Sequence, residues 1–257
     1  MARPRKSGGS DQPTSILHYR DDMMQAADDL VRLKRLVRSQ ARRHGVTACF
    51  MAKPIADYAG SGMHIHVSLQ DEAGENIFIE EREGAWSPLL LNALGGLKAT
   101  MAESMLVFAP HANSWRRFVS QSYAPVAPTW GVNNRSVALR VPAGSIKARR
   151  IEHRPSGVDA NPYLVAATVL AGIRHGLANR LDPGPETTGN GYEDAPANTG
   201  MPTDWRSAIE AAKGSEFLKK ALGEDLHRTF TAIKQAEYFR VARTISDVDY
   251  HLYLHEV

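Results

Sequence analysis

The sequence predicts an α+β protein in which an antiparallel sheet is backed by helices. Three observations carry that expectation: a long helical period at 21–44, alternating apolar and polar residues at 63–69, 137–141 and 149–154, and a nearly all-apolar helical run after residue 161. Period 3.6 and period 2 thus occupy separate stretches of the chain.

The opening MARPRKSGGSDQPTS is basic, rich in Gly and Ser, and aperiodic, which predicts a disordered leader. From Asp21 to His44, Met23, Ala27, Leu30, Leu33 and Val37 recur at helical spacing, with Asp21 and Asp22 in the first turn and Gly45 as the stop. Arg32, Arg35, Arg38, Arg42 and Arg43 read as a solvated face paired with Asp28 and Asp29 rather than as a nucleic-acid patch. Strands are expected at Thr47–Met51, Met63–Leu69 and Asn76–Ile79, with the two longer runs paired antiparallel. Ser87 and Pro88 predict an N-cap and first turn for a helix to about Met105.

Phe108 to Trp130 holds tryptophans, prolines and Arg116-Arg117 with no period, as functional loops do. Val137–Val141 and Arg149–Arg154 alternate like strands, and Arg150, Glu152 and Arg154 share a face. Asn161 and Pro162 open a helix apolar nearly all round, expected to be buried and central. Residues 183–203 read as a surface loop, followed by helices of which Trp205–Lys213 and Glu224–Arg243 are the clearest.

At 257 residues with 43% hydrophobic content, the chain can bury a core. Its single cysteine, Cys49, excludes an intramolecular disulfide framework and a thiolate zinc cluster. No apolar run reaches the roughly 18 residues of a membrane span, and the N-terminus lacks the apolar core of a signal peptide, so the expectation is cytoplasmic. A net charge of +3 is too small to argue for nucleic acid, though a pI near 9.0 suits small anionic ligands.

The chemistry concentrates in two places. In KPIADYAGSGMHIHVS (53–68), a glycine-serine turn feeds a strand on which His64, His66 and Ser68 share one face. Gly60, Ser61 and Gly62 let a backbone approach a ligand closely. A His-x-His pair suits either a metal or a solvent-exposed face. The second place is the run of arginines at 116, 117, 135, 140, 149, 150 and 154 around the single carboxylate Glu152. Arginines offered from strands and loops make bidentate contacts to phosphate or carboxylate. A transferring phosphoryl group calls for such cationic clamps together with a divalent metal.

These two segments, the second continuing as NNRSVALRVPAGSIKARRIEHRPSGVDANPYL, resemble the ATP- and metal-binding signatures of the glutamine synthetase family, and the resemblance runs from about His18 to the C-terminus. It implies an ATP-dependent ligase: the γ-carboxylate of glutamate takes the γ-phosphoryl of ATP, and an amine displaces phosphate to leave an amide. Mg²⁺ or Mn²⁺ is the implied cofactor. Residue by residue, the resemblance assigns His64 and Glu152 to the metal that bridges the ATP phosphates, and His66 and Ser68 to the nucleotide. Arg135, Arg140 and Arg150 match phosphate clamps, Arg135 and Arg150 in a catalytic role. Gly60, Arg117 and Arg154 match groups that hold the amino-acid substrate. The implied fold is a half-barrel of antiparallel strands backed by helices, and the implied assembly is a homo-oligomer of stacked rings with sites between subunits.

Two departures from the family pattern stand out. Ammonia-using members carry a glutamate where this chain has Tyr123, and a phenol of ordinary pKa about 10 is no anionic ammonium trap. HANSWRRF and WGVNNRSVALRVP look instead like γ-glutamylpolyamine synthetases, so an alkyl amine such as putrescine is the expected acceptor. In addition, the family's GxxQxE strand would align Gln12 with its glutamine but places Thr14 and Lys6 at its carboxylates. The expectation is therefore a partial catalytic domain over 18–257, lacking an N-terminal β-grasp domain, with 1–17 a leader or the remnant of a lost strand. Two functions follow: a γ-glutamylamide ligase, or a non-catalytic remnant that keeps part of the nucleotide and metal site.

Overall fold

The computed structural model describes residues 15–80, 82, 85–119, 122, 124–193 and 200–256. Lys6, Gln12, Thr14 and Tyr123 lie outside the described residues, as does most of the expected leader.

Helix α1 (Met23–Arg43) forms as predicted, with the Asp22 carboxylate capping Met24 N–H at 2.7 Å and Gly45 following at φ +68°. Arg32 pairs with Asp28 and Asp29 at 3.5 and 3.4 Å, so the basic residues do sit on a solvated, partly paired face. The apolar side is shallower than its period suggests. Of the residues named for it only Ala27 is buried, and Val37 is exposed.

Four strands form one sheet in the order β1-β4-β3-β2: β1 (Ile65–Val67), β2 (Trp130–Val132), β3 (Leu139–Val141) and β4 (Ile151–His153). The pairs β1–β4 and β4–β3 are antiparallel, as expected. The pair β2–β3 is parallel, although only residues 133–138 connect the strands. Parallel neighbours ordinarily need a crossover of a dozen or more residues. Here Asn133 turns the chain at φ 50°, and Asn134 Oδ1 accepts from the backbone and hydroxyl of Ser136 at 2.9 and 2.6 Å, which closes the loop tightly.

Two expected strands are not made. Residues 47–51 pair with no strand, so the predicted partner of β1 is replaced by β4. The adjoining Lys53 instead exchanges two 2.9 Å hydrogen bonds with the Asn113 side chain, whose amide takes the place of a neighbouring strand. Residues 76–79 contribute only the bridge Gln70↔Asn76.

The helix expected from Pro88 to about Met105 is split into α2 (Pro88–Ala99) and α3 (Met101–Phe108). Thr100 Oγ1 donates to Gly96 O at 2.9 Å and Ser104 Oγ to Thr100 O at 2.7 Å, the back-bonding that bends helices. Ser87 stands at the N-cap, but its hydroxyl donates to Ile77 O at 2.9 Å and makes no cap.

Helix α5 (Pro162–Asn179) is capped by Asn161 and crosses α2 with the backbones almost touching. A methyl group on Gly96 would lie 2.2 Å from Gly172 O, and one on Gly176 2.0 Å from Asn92 O. Only glycine fits there. The helix is not buried all round, because Leu170 on one side is 38% exposed. Helices α2, α3 and α5 supply the centre of the core, with Leu90, Leu94, Met101, Met105, Phe108, Val169 and Ile173 in one cluster with Leu139, Val141 and Ile151 of the sheet. Helices α6 (Trp205–Lys213), α7 (Glu216–Leu222) and α8 (Glu224–Ala242) close the bundle, and α9 (Asp247–Tyr253) adds no buried residue. Among the described residues no helix is long and apolar enough to cross a membrane.

Candidate active site

The sheet has one apolar face turned to the helices and one charged face turned away from them. The antiparallel register sets His66 opposite Glu152 and Glu152 opposite Arg140, so the three form a row across β1, β4 and β3. Strand alternation adds His64, Arg150 and Arg154 to the same face. Six of the expected site residues are thus brought together by pleat and register alone.

Glu152 is the hub. It is 2% exposed and holds three partners: Arg154 Nη1 at 2.5 Å and His64 Nδ1 at 3.2 Å on Oε1, and Arg140 Nη1 at 2.6 Å on Oε2. Burial by itself raises a carboxyl pKa, but His64, Arg140 and Arg154 outweigh it and hold Glu152 far below the usual range. It is a fixed anion. Arg140 is steadied in turn by Asn133 Oδ1, and Arg154 Nη2 donates to Arg135 O at 2.9 Å. Arg150 Nε donates to His66 Nδ1 at 3.2 Å, and burial, with Arg150, His64 and Arg140 nearby, holds the His66 imidazole below its ordinary pKa. That favours the neutral ring.

The remaining expected residues are distributed around this face. Arg135 is exposed at the loop after β2, and Ser68 is half-buried beyond the end of β1. Arg117 follows the short helix α4 (Ala112–Trp115) and is 4% exposed. Its Nη1 and Nη2 donate to Pro155 O at 2.9 Å and Arg154 O at 3.1 Å, and burial pushes its pKa down to about 10, which leaves it charged. Gly60 lies on its stem: a methyl group there would meet Arg117 Cγ at 2.5 Å. Gly60 therefore serves to let the glycine turn lie flat on the arginine.

An anionic carboxylate and an imidazole 3.2 Å apart are oxygen and nitrogen donors of the kind that would hold a divalent cation. His64 and Glu152 fit as part of a coordination shell that water and phosphate oxygens would complete. Among the described residues no group of three or more His, Cys, Asp or Glu gathers to hold a metal.

Some residues at the site were not anticipated. Asn133 braces Arg140, and the signal for it was weak: an asparagine pair before a strand suits a left-handed turn. His153 points to the opposite face, where its ring packs edge-on against Phe108 at 4.5 Å and burial drives its pKa down to about 3. The segment after Pro183 is more than a surface loop. Thr187 N–H donates to Trp130 O at 2.9 Å, Glu186 Oε1 accepts from Val132 N–H at 2.8 Å, and Tyr192 hydroxyl reaches Ala124 O at 3.2 Å. It straps the outer edge of the sheet.

The glutamine synthetase catalytic-domain model matches residues 14–253. The chain belongs to the glutamine synthetase family. Within this family it is 43% identical over 235 residues to γ-glutamylputrescine synthetase of Escherichia coli, covering 91% of this chain and 49% of that protein. It is 40% identical over 178 residues to a glutamate–isopropylamine ligase of a Pseudomonas species, covering 68% and 39%. The glutamine synthetase of Halobacterium salinarum is 34% identical over 241 residues, covering 91% and 53%. The chain thus spans about half the length of these relatives or less. A solved structure of GmaS with ADP superposes with a TM-score of 0.80 at 31% identity, covering 91% of this chain and 55% of that one, and apo GmaS with a TM-score of 0.82. The α+β fold of the glutamine synthetase catalytic domain is therefore the fold of this chain, with the mixed sheet described above.

Proposed function

We propose that this chain forms the nucleotide-, metal- and glutamate-binding part of an ATP-dependent ligase that joins the γ-carboxylate of glutamate to an alkyl amine through γ-glutamyl phosphate. The observation that carries the reading is the charged row His66–Glu152–Arg140, with His64 beside it and Arg117 buried just beyond.

In this reading His64 and Glu152 hold Mg²⁺ or Mn²⁺, which when bound supplies charge neutralisation at the ATP phosphates. Arg140, Arg150 and the exposed Arg135 face the phosphates, where fixed cations stabilise a spreading negative charge more in the transition state than in the ground state. The neutral His66 and Ser68 contact the nucleotide. Arg117 and Arg154, with Gly60, hold the amino acid; the buried Arg117 guanidinium, which among the described residues bonds carbonyls and no carboxylate, is suited to receive one. The amine is proposed as an alkyl amine because two relatives are named for putrescine and isopropylamine and because Tyr123 replaces an acidic residue. Homo-oligomeric assembly and a cytoplasmic location belong to the same proposal.

The test is phosphate release from ATP with glutamate and either putrescine or ammonium, alongside calorimetric binding of ADP with Mg²⁺. Putrescine-dependent release well above the ammonium rate supports a γ-glutamylamide ligase, and a preference for ammonium overturns the acceptor. A second reading, nucleotide binding without turnover, is favoured by the two-donor metal shell among the described residues. Metal-dependent ADP binding with no amine-dependent release supports it, and robust turnover eliminates it.

A further inference from the structure

Arg117 has a carboxylate behind it that the scheme above does not use. Asp159 lies in the turn between β4 and α5. A methyl group on Gly157 would sit 2.3 Å from Asp159 Oδ1 and 3.5 Å from Arg117 Nη1, so the carboxylate oxygen is no farther from the guanidinium than those distances combined, about 6 Å. The other side of the guanidinium faces the site: a methyl on Gly62 would be 3.4 Å from both Arg117 Nη2 and His64 Nε2. Among the described residues no ion pair joins Arg117 to any carboxylate, and the charge of Asp159 favours the charged form of the guanidinium. The same charge acts on Lys34 and His111, which approach from α1 and from the cap of α4.

The two oxygens of Asp159 are used unequally. Oδ2 accepts from the hydroxyl of fully buried Ser114 at 2.6 Å, and the Ser114 carbonyl accepts the Arg117 N–H at 3.2 Å. Oδ1 is buried and takes no hydrogen bond. Anchoring α4 needs one acceptor, which an asparagine or a serine would supply. A second buried oxygen without a donor is unfavourable, so the charge is what distinguishes aspartate at this position.

We propose that Asp159 is a counter-charge behind Arg117 that sets how tightly the arginine holds a substrate carboxylate. The inference rests on the reading of Arg117 as the group that receives the glutamate carboxylate. A desolvated guanidinium without compensation would grip an anion strongly in the ground state, and binding shared equally by ground and transition states does not raise turnover. Asp159 weakens that grip by repelling the incoming carboxylate across the guanidinium. At a separation of roughly 8–10 Å and an effective dielectric between about 20 and 80, the repulsion corresponds to about two- to thirtyfold in affinity.

Calorimetric titration with L-glutamate of the wild type, D159N, D159S, S114A and R117M tests this. D159N and D159S keep an acceptor for Ser114 and remove the charge, and both are expected to bind glutamate about two- to thirtyfold more tightly. S114A removes the anchor, keeps the charge, and is expected not to tighten binding. Purely structural roles move all three variants toward weaker binding. If folded D159N or D159S binds no tighter than wild type while R117M loses binding, the role of Asp159 is overturned and that of Arg117 stands. If wild type fails to bind glutamate, or R117M binds it as well as wild type, the reading of Arg117 falls and the inference falls with it.

Discussion

Glu152 and Arg117 are both charged, both nearly inaccessible, and set against the same strand-to-helix connection, yet the molecule treats them in opposite ways. Glu152 is closely surrounded: Arg140, Arg154 and His64 reach its two oxygens within 3.2 Å. Among the described residues Arg117 has two carbonyl oxygens, the face of the Phe118 ring at 5.2 Å and a carboxylate held at a remove. A buried ion with all its partners is part of the scaffold, because removing any member strands the others. A buried cation whose hydrogen bonds go to carbonyls, with its carboxylate at a remove, keeps room for an anion, and in the proposed function that anion is the glutamate carboxylate. In the proposed scheme Glu152 ties the strands together and, with His64, would also hold the metal, whereas Arg117 has little structural duty beside the amino acid it would receive.

Four substitutions would break or sharpen that contrast, in order of decreasing effect on stability. Glu152→Gln leaves Arg154 and Arg140 facing a neutral group, so a loss of about 3–5 kcal/mol is expected in urea unfolding. A loss below about 1 kcal/mol would mean the arginines find other partners and the hub is not structural. Gly60→Ala drives a methyl group into the Arg117 stem and the Ala52 carbonyl; overpacking against backbone is expected to cost about 1–3 kcal/mol and to weaken glutamate binding measured by calorimetry.

Arg117→Met removes a charge as deeply buried as Glu152 but is expected to cost only about 1 kcal/mol, since it abandons two carbonyls and a carboxylate that is held at a remove and also faces Lys34. Its effect should fall on glutamate affinity instead. A destabilisation equal to that of Glu152→Gln would erase the distinction between the two regions. Asn133→Gly is the mildest. Glycine accepts the positive φ at this turn, so stability should stay within about 0.5 kcal/mol, while Arg140 loses its second anchor and metal-dependent ADP affinity declines.

Much of the candidate site was legible before any coordinates. His64 and His66 share a face because strands alternate, and the arginine cluster around Glu152 is conspicuous in a line of text. The helices with strong period, α1, α5, α6 and α8, lie close to where their periodicity and caps put them. The failures have a common physical origin in long-range partners. Residues 47–51 have strand-like composition, but the neighbouring backbone is satisfied by the amide of Asn113, sixty positions on. Ser87 has the chemistry of a cap and spends its hydroxyl on Ile77 instead. The segment after Pro183 looks like loop and acts as a strap because Trp130, Val132 and Asn134 offer it hydrogen bonds.

The sequence by itself determined which residues carry charge, which stretches are helical, and which side chains share a strand face, because these depend on neighbours a few positions away. It could not decide that Glu152 would be enclosed by His64, Arg140 and Arg154, or that Arg117 would be buried beside carbonyls with Asp159 behind it. Those outcomes depend on sheet register and on the turn after β4 meeting α4, which bring together groups separated by tens of residues. Whether a charge becomes scaffold or ligand site is set by what surrounds it once water is excluded, and only the tertiary structure supplies those surroundings.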